Sequence, residues 1–261
     1  MENKREVEVV SVKQLASDVY DMWIKDVEIA TYSKAGQFVS LYCNNESRLL
    51  PRPISICELN KEEGLVRFVY RVVGEGTNEF SKLKATDKIS VLGPLGNGFT
   101  LEGKNVLIVG GGIGIPPLLE LIKNLDGNKH IVLGFRDEIF LKEDFEKYGK
   151  VYISTEDGSN GVKGNVIDAI NSYNLLEDES NGLKIDIIFT CGPLPMLRGL
   201  KEFAKKNNIK IQISLEERMA CGVGACLSCV CKTKEKDINT NVHNTRICKE
   251  GPVFYGRDIE I

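Results

Sequence analysis

The sequence predicts a β plus α/β protein in three parts: an N-terminal antiparallel β-barrel over 1–101, a parallel-sheet domain over 102–215 and a small C-terminal segment over 216–261. Three observations carry that prediction. The N-terminal part falls into short β-rich runs separated by turn residues. After Asn105, apolar strands alternate with helical stretches. Near the C-terminus, Cys221, Cys226, Cys229 and Cys248 stand at C-x4-C-x2-C…C spacing.

In the N-terminal part the runs are VEVVSV, DVYDMWIKD, GQFVSLYC, RPISICEL, LVRFVYRVV and KISVLGP, with one helical stretch expected around Asn78 to Lys84. Several short strands at such spacing argue for a small antiparallel barrel or sandwich, and the barrel is expected here. Within it Arg52-Pro53-Ile54-Ser55 places an Arg and a Pro on one strand, and the Pro gives up a ladder hydrogen bond. Gly74-Glu75-Gly76-Thr77 then leads a glycine-rich turn into the helical stretch. Together the two suit a pyrophosphate, with charge-assisted bonds from Arg52 and amides at a helix start. Alone, the first is commonly an edge strand and the second commonly a turn.

From Asn105 to Val109 the chain reads as a fully apolar strand, Gly110 to Gly114 as a glycine turn, and Pro116 to Leu125 as a helix whose prolines suit a first turn. Strands at 130–134, 151–154, 185–190 and 210–214 alternate with helices at 141–148, 165–174 and 194–207. That alternation means a parallel sheet with nucleotide at the carboxyl ends of its strands. The loop Gly110-Gly111-Gly112-Ile113-Gly114 is not a clean G-x-G-x-x-G, since Ile115 stands where the last glycine falls, so alone it is weak evidence for a dinucleotide.

The cysteine spacing is that of plant-type [2Fe-2S] ligands, in which a tight loop wraps one side of the cluster and a distant Cys closes the other. Gly222 and Gly224 let the wrap take positive φ and turn N–H groups toward sulfur. Structural zinc usually shows paired C-x2-C knuckles, and only one such pair exists here. Nothing at the N-terminus reads as a signal peptide, so a reducing, cytoplasmic setting is expected, where disulfides rarely persist. Cys231 competes with Cys248 for the last ligand position. It lies so near Cys229 that both thiolates would strain toward different corners, whereas Cys248 returns from a polar excursion, Lys232 to Arg246, that contains Asn239, Asn241 and Asn244 and reads as an exposed hairpin or flap. Cys43, Cys57 and Cys191 default to buried thiols.

Composition narrows the class. Hydrophobic residues make up 42% and charged residues 27%, and Lys+Arg 34 against Asp+Glu 37 gives a net charge of −3, no electrostatic footprint for nucleic acid. The longest apolar runs are broken by Gly and Pro and are too short to span a bilayer.

An R-P-x-S strand, a G-x-G-T turn and a strand–GGGIG–helix unit in that order resemble the ferredoxin–NADP reductase superfamily. The resemblance implies FAD contacts at Arg52, Pro53, Ile54 and Ser55, with Ser55 near the reactive edge of the flavin, and further contacts at Val69, Tyr70, Arg71, Gly76 and Thr77. It implies pyridine-nucleotide contacts at Gly110, Gly111, Gly112 and Gly114 and at Cys191-Gly192-Pro193, with Cys191 at the nicotinamide end; Ser55 and Cys191 are the implied catalytic positions. Barrel, nucleotide domain and cluster segment together, and the phrase Glu216-Glu217-Arg218-Met219-Ala220-Cys221-Gly222, resemble the electron-transfer subunits of dihydroorotate dehydrogenase B along essentially the full chain. That implies FAD, a [2Fe-2S] cluster and NAD, and a partner, an FMN-containing dihydroorotate dehydrogenase chain, in a heterotetramer of two copies of each chain serving pyrimidine (UMP) biosynthesis. The alternative is a flavin and iron–sulfur subunit of an NADH-dependent ferredoxin–NADP oxidoreductase, or of a sulfite reductase or hydrogenase. In the ferredoxin-linked family the first cluster ligand is an Asp, so Cys221 favours the dihydroorotate enzyme. No acid–base set for a pyrimidine is visible, and His130 and His243 read as structural or exposed.

Overall fold

The computed structural model describes residues 4–45, 47–178, 183–236 and 241–261. Strands β1 (Arg5–Gln14), β2 (Val19–Lys25), β3 (Phe38–Tyr42), β4 (Arg52–Ser55), β5 (Glu58–Asn60), β6 (Leu65–Arg71) and β7 (Lys88–Leu95) form one antiparallel sheet in the order β4-β3-β7-β1-β2-β6-β5. The sheet curls until β4 comes alongside β6. Strand alternation sorts the side chains: Met22, Ile24, Val39, Leu41, Phe68 and Tyr70 fill the interior, while Val19 and Val69 face outward into a core shared with the rest of the chain. Arg52 to Leu59, expected as one run, is two strands. Ile56 and Cys57, both fully buried, turn the corner between them, and Pro53 sits on an edge strand where its missing N–H costs nothing.

Two short helices decorate this sheet. Helix α1 (Val27–Tyr32) was not expected; Asp26 caps it by accepting from the Ile29 N–H at 2.9 Å. Helix α2 (Glu75–Phe80) starts and ends earlier than the expected 78–84, because the Thr77 hydroxyl accepts from the Val73 N–H at 3.0 Å and so begins the helix at Gly74.

The second domain runs β8 (Asn105–Gly111), a 3-10 turn (Gly112–Gly114), α3 (Pro117–Asn124), β9 (Asn128–Phe135), α4 (Lys142–Glu146), β10 (Lys150–Thr155), β11 (Val162–Lys163), α5 (Val166–Ser172), a small pair β12 (Glu177–Asp178) and β13 (Leu183–Lys184), β14 (Ile187–Cys191), α6 (Leu194–Lys206) and β15 (Lys210–Ser214). The last part contributes β16 (Val230–Thr233), β17 (Asn244–Arg246), β18 (Val253–Tyr255) and β19 (Ile259–Glu260). The central sheet has the order β11-β10-β9-β8-β14-β15-β18, parallel except for β18. The chain moves outward from β8 and then crosses to β14, so the switch in direction falls between those two strands, the position at which open α/β sheets generally take ligand at their carboxyl ends.

Strand β18 was not expected: the cluster segment returns to the nucleotide sheet as its antiparallel edge. Strands β16 and β17 pair antiparallel, Val230 opposite Arg246 and Lys232 opposite Asn244, and β19 pairs with β16 on its other side; Asn239, part of the expected hairpin or flap, lies outside the described residues. The two large parts share one apolar core, in which Phe99 meets Phe189 edge to face at 5.8 Å between ring centres. Among the described residues no helix is long and apolar enough to cross a membrane.

Candidate redox cofactor site

Arg52 opens β4, and its side chain lies against the start of α2. A Cβ on Gly76 would stand 2.1 Å from Arg52 Nε, so only glycine admits the guanidinium there. Arg52 and Gly76-Thr77, twenty-odd residues apart in sequence, thus form one cradle. Arg52 also donates to the Leu50 carbonyl. Val69 and Tyr70 point in opposite directions: Val69 lies in the shared core, and Tyr70 stacks on Tyr20 and meets Phe80 edge to face inside the barrel. The Tyr70 hydroxyl is buried without a partner, and burial raises it above the usual phenol range. Arg71, at the end of β6, pairs with Asp18 at 3.0 Å.

The glycine turn and the Cys191-Gly192-Pro193 turn meet at the switch point. Cys191 is the register partner of Gly110; a Cβ on Gly114 would come within 2.5 Å of Gly192 Cα, and one on Gly111 within 2.5 Å of Met196 Sδ. These close approaches explain why glycines stand there. The turn also abuts β6, so the strand bearing Val69 to Arg71 lies beside the glycine loop. Burial, and then the Glu216 carboxylate, push the Cys191 thiol up, so it stays neutral at physiological pH.

In the cluster loop Gly222 and Gly224 have φ of +71° and +83°. Backbone N–H groups point at sulfur: Gly224 donates to Cys248 Sγ at 3.1 Å, Ala225 and Cys226 to Cys221 Sγ at 3.3 and 3.4 Å, and Cys248 to Cys229 Sγ at 3.4 Å. Burial opposes ionisation of Cys221, and the N–H groups of Cys226, Val223 and Ala225 more than offset it, bringing the thiol down to about 6. Cys248 is pushed up by burial and by the neighbouring Cys229 thiol; two anions so close need a cation between them. Among the described residues no three His, Cys, Asp or Glu side chains converge on one point as a single ion demands. A two-iron cluster asks instead for two pairs of thiols. The loop offers Cys221 with Cys226 and Cys229 with Cys248, and N–H donors aimed at thiolate sulfur are what such a cluster requires. Cys231 lies on β16 opposite Thr245, and none of these sulfur-directed bonds reaches it.

Residues that sequence reasoning missed hold these parts together. A Cβ on Gly222 would meet Ser40 Oγ at 2.8 Å, and Ser40 of β3 is the register partner of Pro53. The cluster loop therefore rests one strand away from the Arg52–Ser55 strand. Arg246 donates to the Gly224 carbonyl at 3.1 Å and pairs with Glu250, clamping the wrap. The i,i+4 spacing of Arg246 and Glu250 was a visible signal; nothing in the sequence announces Ser40.

Residues 216–260 match the family described as the iron–sulfur cluster binding domain of dihydroorotate dehydrogenase B. The chain is 44% identical over 258 residues to the electron transfer subunit of dihydroorotate dehydrogenase B (NAD(+)) of Fusobacterium nucleatum, covering 95% of both chains. The corresponding subunit of Caldanaerobacter subterraneus is 42% identical, with 98% of each chain covered. The chain belongs to this family of electron transfer subunits. Among solved structures it superposes on an NADH-dependent reduced ferredoxin–NADP oxidoreductase with a TM-score of 0.86 at 31% identity, covering 100% of this chain and 91% of that one. A ferredoxin NADP+ reductase of Neisseria gonorrhoeae, at 19% identity and a TM-score of 0.61 over 79% of this chain and 92% of that one, shares the fold. Family membership accounts for the cluster loop: its cysteines are the part that the family's cluster-binding domain covers.

Proposed function

We propose that this chain carries electrons between an FMN-containing dihydroorotate dehydrogenase chain and NAD, with FAD held by Arg52, Pro53, Ile54, Ser55, Val69, Tyr70, Arg71, Gly76 and Thr77, and with a [2Fe-2S] cluster held by Cys221, Cys226, Cys229 and Cys248. The nucleotide is held by Gly110 to Gly114 and Cys191-Gly192-Pro193. When bound, NAD supplies a hydride step, the cluster a one-electron step, and the flavin the exchange between them. Thiols kept reduced for ligation fit a cytoplasmic setting, and the name of an electron transfer subunit carried by the relatives supports a separate catalytic partner, proposed here in an assembly of two copies of each chain.

One observation carries this reading. The cluster loop packs on β3, which pairs with β4, while the glycine turn abuts β6, which β4 approaches from across the curl. The cluster and nucleotide loops thus flank one flavin strand pair. In this arrangement Arg52 neutralises a pyrophosphate, Ser55 lies at the register position of Phe38 near the mouth of the sheet, and neutral Cys191 packs the nicotinamide end without adding charge. At the other edge, Cys226 is exposed, beside Val223 and Leu227 at 40% and 62% exposure. An apolar rim around the outer thiol pair suits a docked redox partner.

The test is reconstitution followed at the NADH absorbance band. Alone, the chain is expected to reduce artificial dyes with NADH and to leave dihydroorotate untouched; with the FMN chain added, dihydroorotate-dependent NAD reduction is expected. Reduction by this chain alone would refute the division of labour. Transfer to ferredoxin but not to or from the FMN chain would favour the ferredoxin-linked alternative.

A further inference from the structure

We infer that Glu120 and Lys123 of α3, backed by Arg67 of β6, form a latch that sets the gap between the nucleotide loop and the flavin strand, and so act as positioning residues for hydride transfer. The inference rests on the cofactor placement proposed above.

Glu120 is 3% exposed, and within the helix its carboxylate accepts from Asn124 Nδ2 at 2.8 Å and pairs with Lys123 at 3.6 Å. Its carboxylate accepts from the Leu59 N–H at 2.9 Å, its own N–H donates to the Cys57 carbonyl at 3.0 Å, and Lys123 Nζ donates to the Leu59 carbonyl at 2.7 Å. One turn of α3 is thereby hydrogen-bonded to β5, the free edge of the barrel sheet. Helix α3 follows the Gly110–Gly114 loop directly, and β5 pairs with β6, Leu59 opposite Val66 and Glu58 opposite Arg67. The latch therefore joins the element that starts at the nucleotide loop to the strand that ends in Val69-Tyr70-Arg71.

Arg67 adds a second tie. Its guanidinium bonds Asp21 at 2.9 Å and Glu58 at 3.1 Å within the barrel, reaches Asp144 of α4 at 3.3 Å across the junction, and lies over the Trp23 ring, 5.6 Å from the ring centre.

Adhesion alone does not call for these groups. The apolar core shared by Val19, Cys57, Phe99, Ile115, Leu118 and Phe189 already joins the two parts, and burying charge is expensive even when it is paired. What directional bonds add is register: an apolar contact tolerates sliding, whereas an N–H to carboxylate bond weakens steeply when displaced or tilted. Hydride transfer depends on that register, because small misplacements of reacting atoms cost orders of magnitude in rate.

The experiment uses the complex assembled with its FMN partner and compares Glu120→Ala, Glu120→Gln and Lys123→Met. Flavin bleaching by NADH is followed by stopped flow to separate the limiting rate from half-saturation, with deuterated NADH for the isotope effect, and hydrogen exchange reports the Leu59 segment. Glu120→Ala and Lys123→Met are expected to keep their FAD and the visible cluster spectrum and to exchange faster at Leu59. Their limiting rate should fall about tenfold, at little-changed half-saturation, with a larger isotope effect. Glu120→Gln retains an acceptor for the Leu59 N–H and should stay near wild type. Lys123 is on the surface side of the latch, so its variant carries the test should Glu120→Ala not fold. Faster exchange at Leu59 with an unchanged limiting rate would overturn the latch, and so would a rate that falls only in proportion to lost FAD. A wild-type complex whose flavin NADH does not bleach would instead overturn the cofactor placement itself.

Discussion

Arg52 and the cysteines are where single side chains decide the chemistry. Arg52→Ala removes the guanidinium that lies against Gly76; a hydrogen bond to a charged group is worth about 1.5–3 kcal/mol, so FAD affinity should fall roughly ten- to a hundredfold. Cluster content should not change, because the cluster loop rests on β3 and is clamped by Arg246. Flavin release on dilution, measured beside the iron-to-protein ratio, checks this, and equal loss of both would make Arg52 structural. Among the thiols, Cys248→Ser should abolish the visible iron–sulfur spectrum while Cys231→Ser preserves it. Cys248 receives the Gly224 N–H and donates its own N–H to Cys229 Sγ, whereas Cys231 lies on β16 opposite Thr245, outside these sulfur-directed bonds. The opposite pair of spectra would reverse the ligand assignment.

At the scale of elements, the unexpected strand β18 explains how Cys248 is held. It ties the cluster segment to the nucleotide sheet: the Tyr255 hydroxyl donates to Glu102 at 2.7 Å, and Gln212 and Lys210 of β15 donate to the same carboxylate at 3.1 and 3.4 Å. Burial would raise the Glu102 carboxyl, and these donors, Tyr255 first, bring it below the usual range instead. Its folded pKa is thus lower than its unfolded one, so its contribution is fully present above the ordinary carboxylate range and is lost as pH falls through the depressed value. Tyr255→Phe should cost about 1–2 kcal/mol at neutral pH and less in acid, which denaturant titrations at both pH values would show. None of this was legible beforehand. Val253-Phe254-Tyr255 is too short a run between a Gly-Pro and a glycine to announce a strand, and its partner, β15, lies in another domain of the sequence. Helix α1 was missed for a different reason: Asp26 carried a cap signal, yet a helix of little more than one turn has no periodicity to read. The cysteine loop was legible because its ligands are local and its glycines are required by positive φ. The Ser40 contact was invisible because only the curl of the barrel brings β3 to Gly222.

At the scale of the whole molecule the proposed sites follow one another through neighbouring strands, and that order can be tested by interrupting it. The nucleotide loop touches β6, the Arg52 strand lies across the curl, the cluster loop covers β3, and the exposed Cys226 with Val223 and Leu227 forms the outer end. If electrons pass in that order, a break at the outer end leaves the inner steps intact. Cys226→Ser replaces the exposed one of the four proposed ligand thiols and touches neither the Arg52 cradle nor the switch-point loops. The variant should keep its FAD, and NADH should still bleach the flavin and reduce a hydride-accepting dye at close to the wild-type rate. Dihydroorotate-dependent NAD reduction in the assembled complex should fall at least about a hundredfold, since in the proposed order the cluster carries each electron between the partner and the flavin. The two rates, measured on one preparation, decide the matter. Parallel loss of both would mean that the cluster loop supports the flavin site structurally, and retention of the partner-linked rate would mean that electrons reach the flavin by a route that bypasses the cluster.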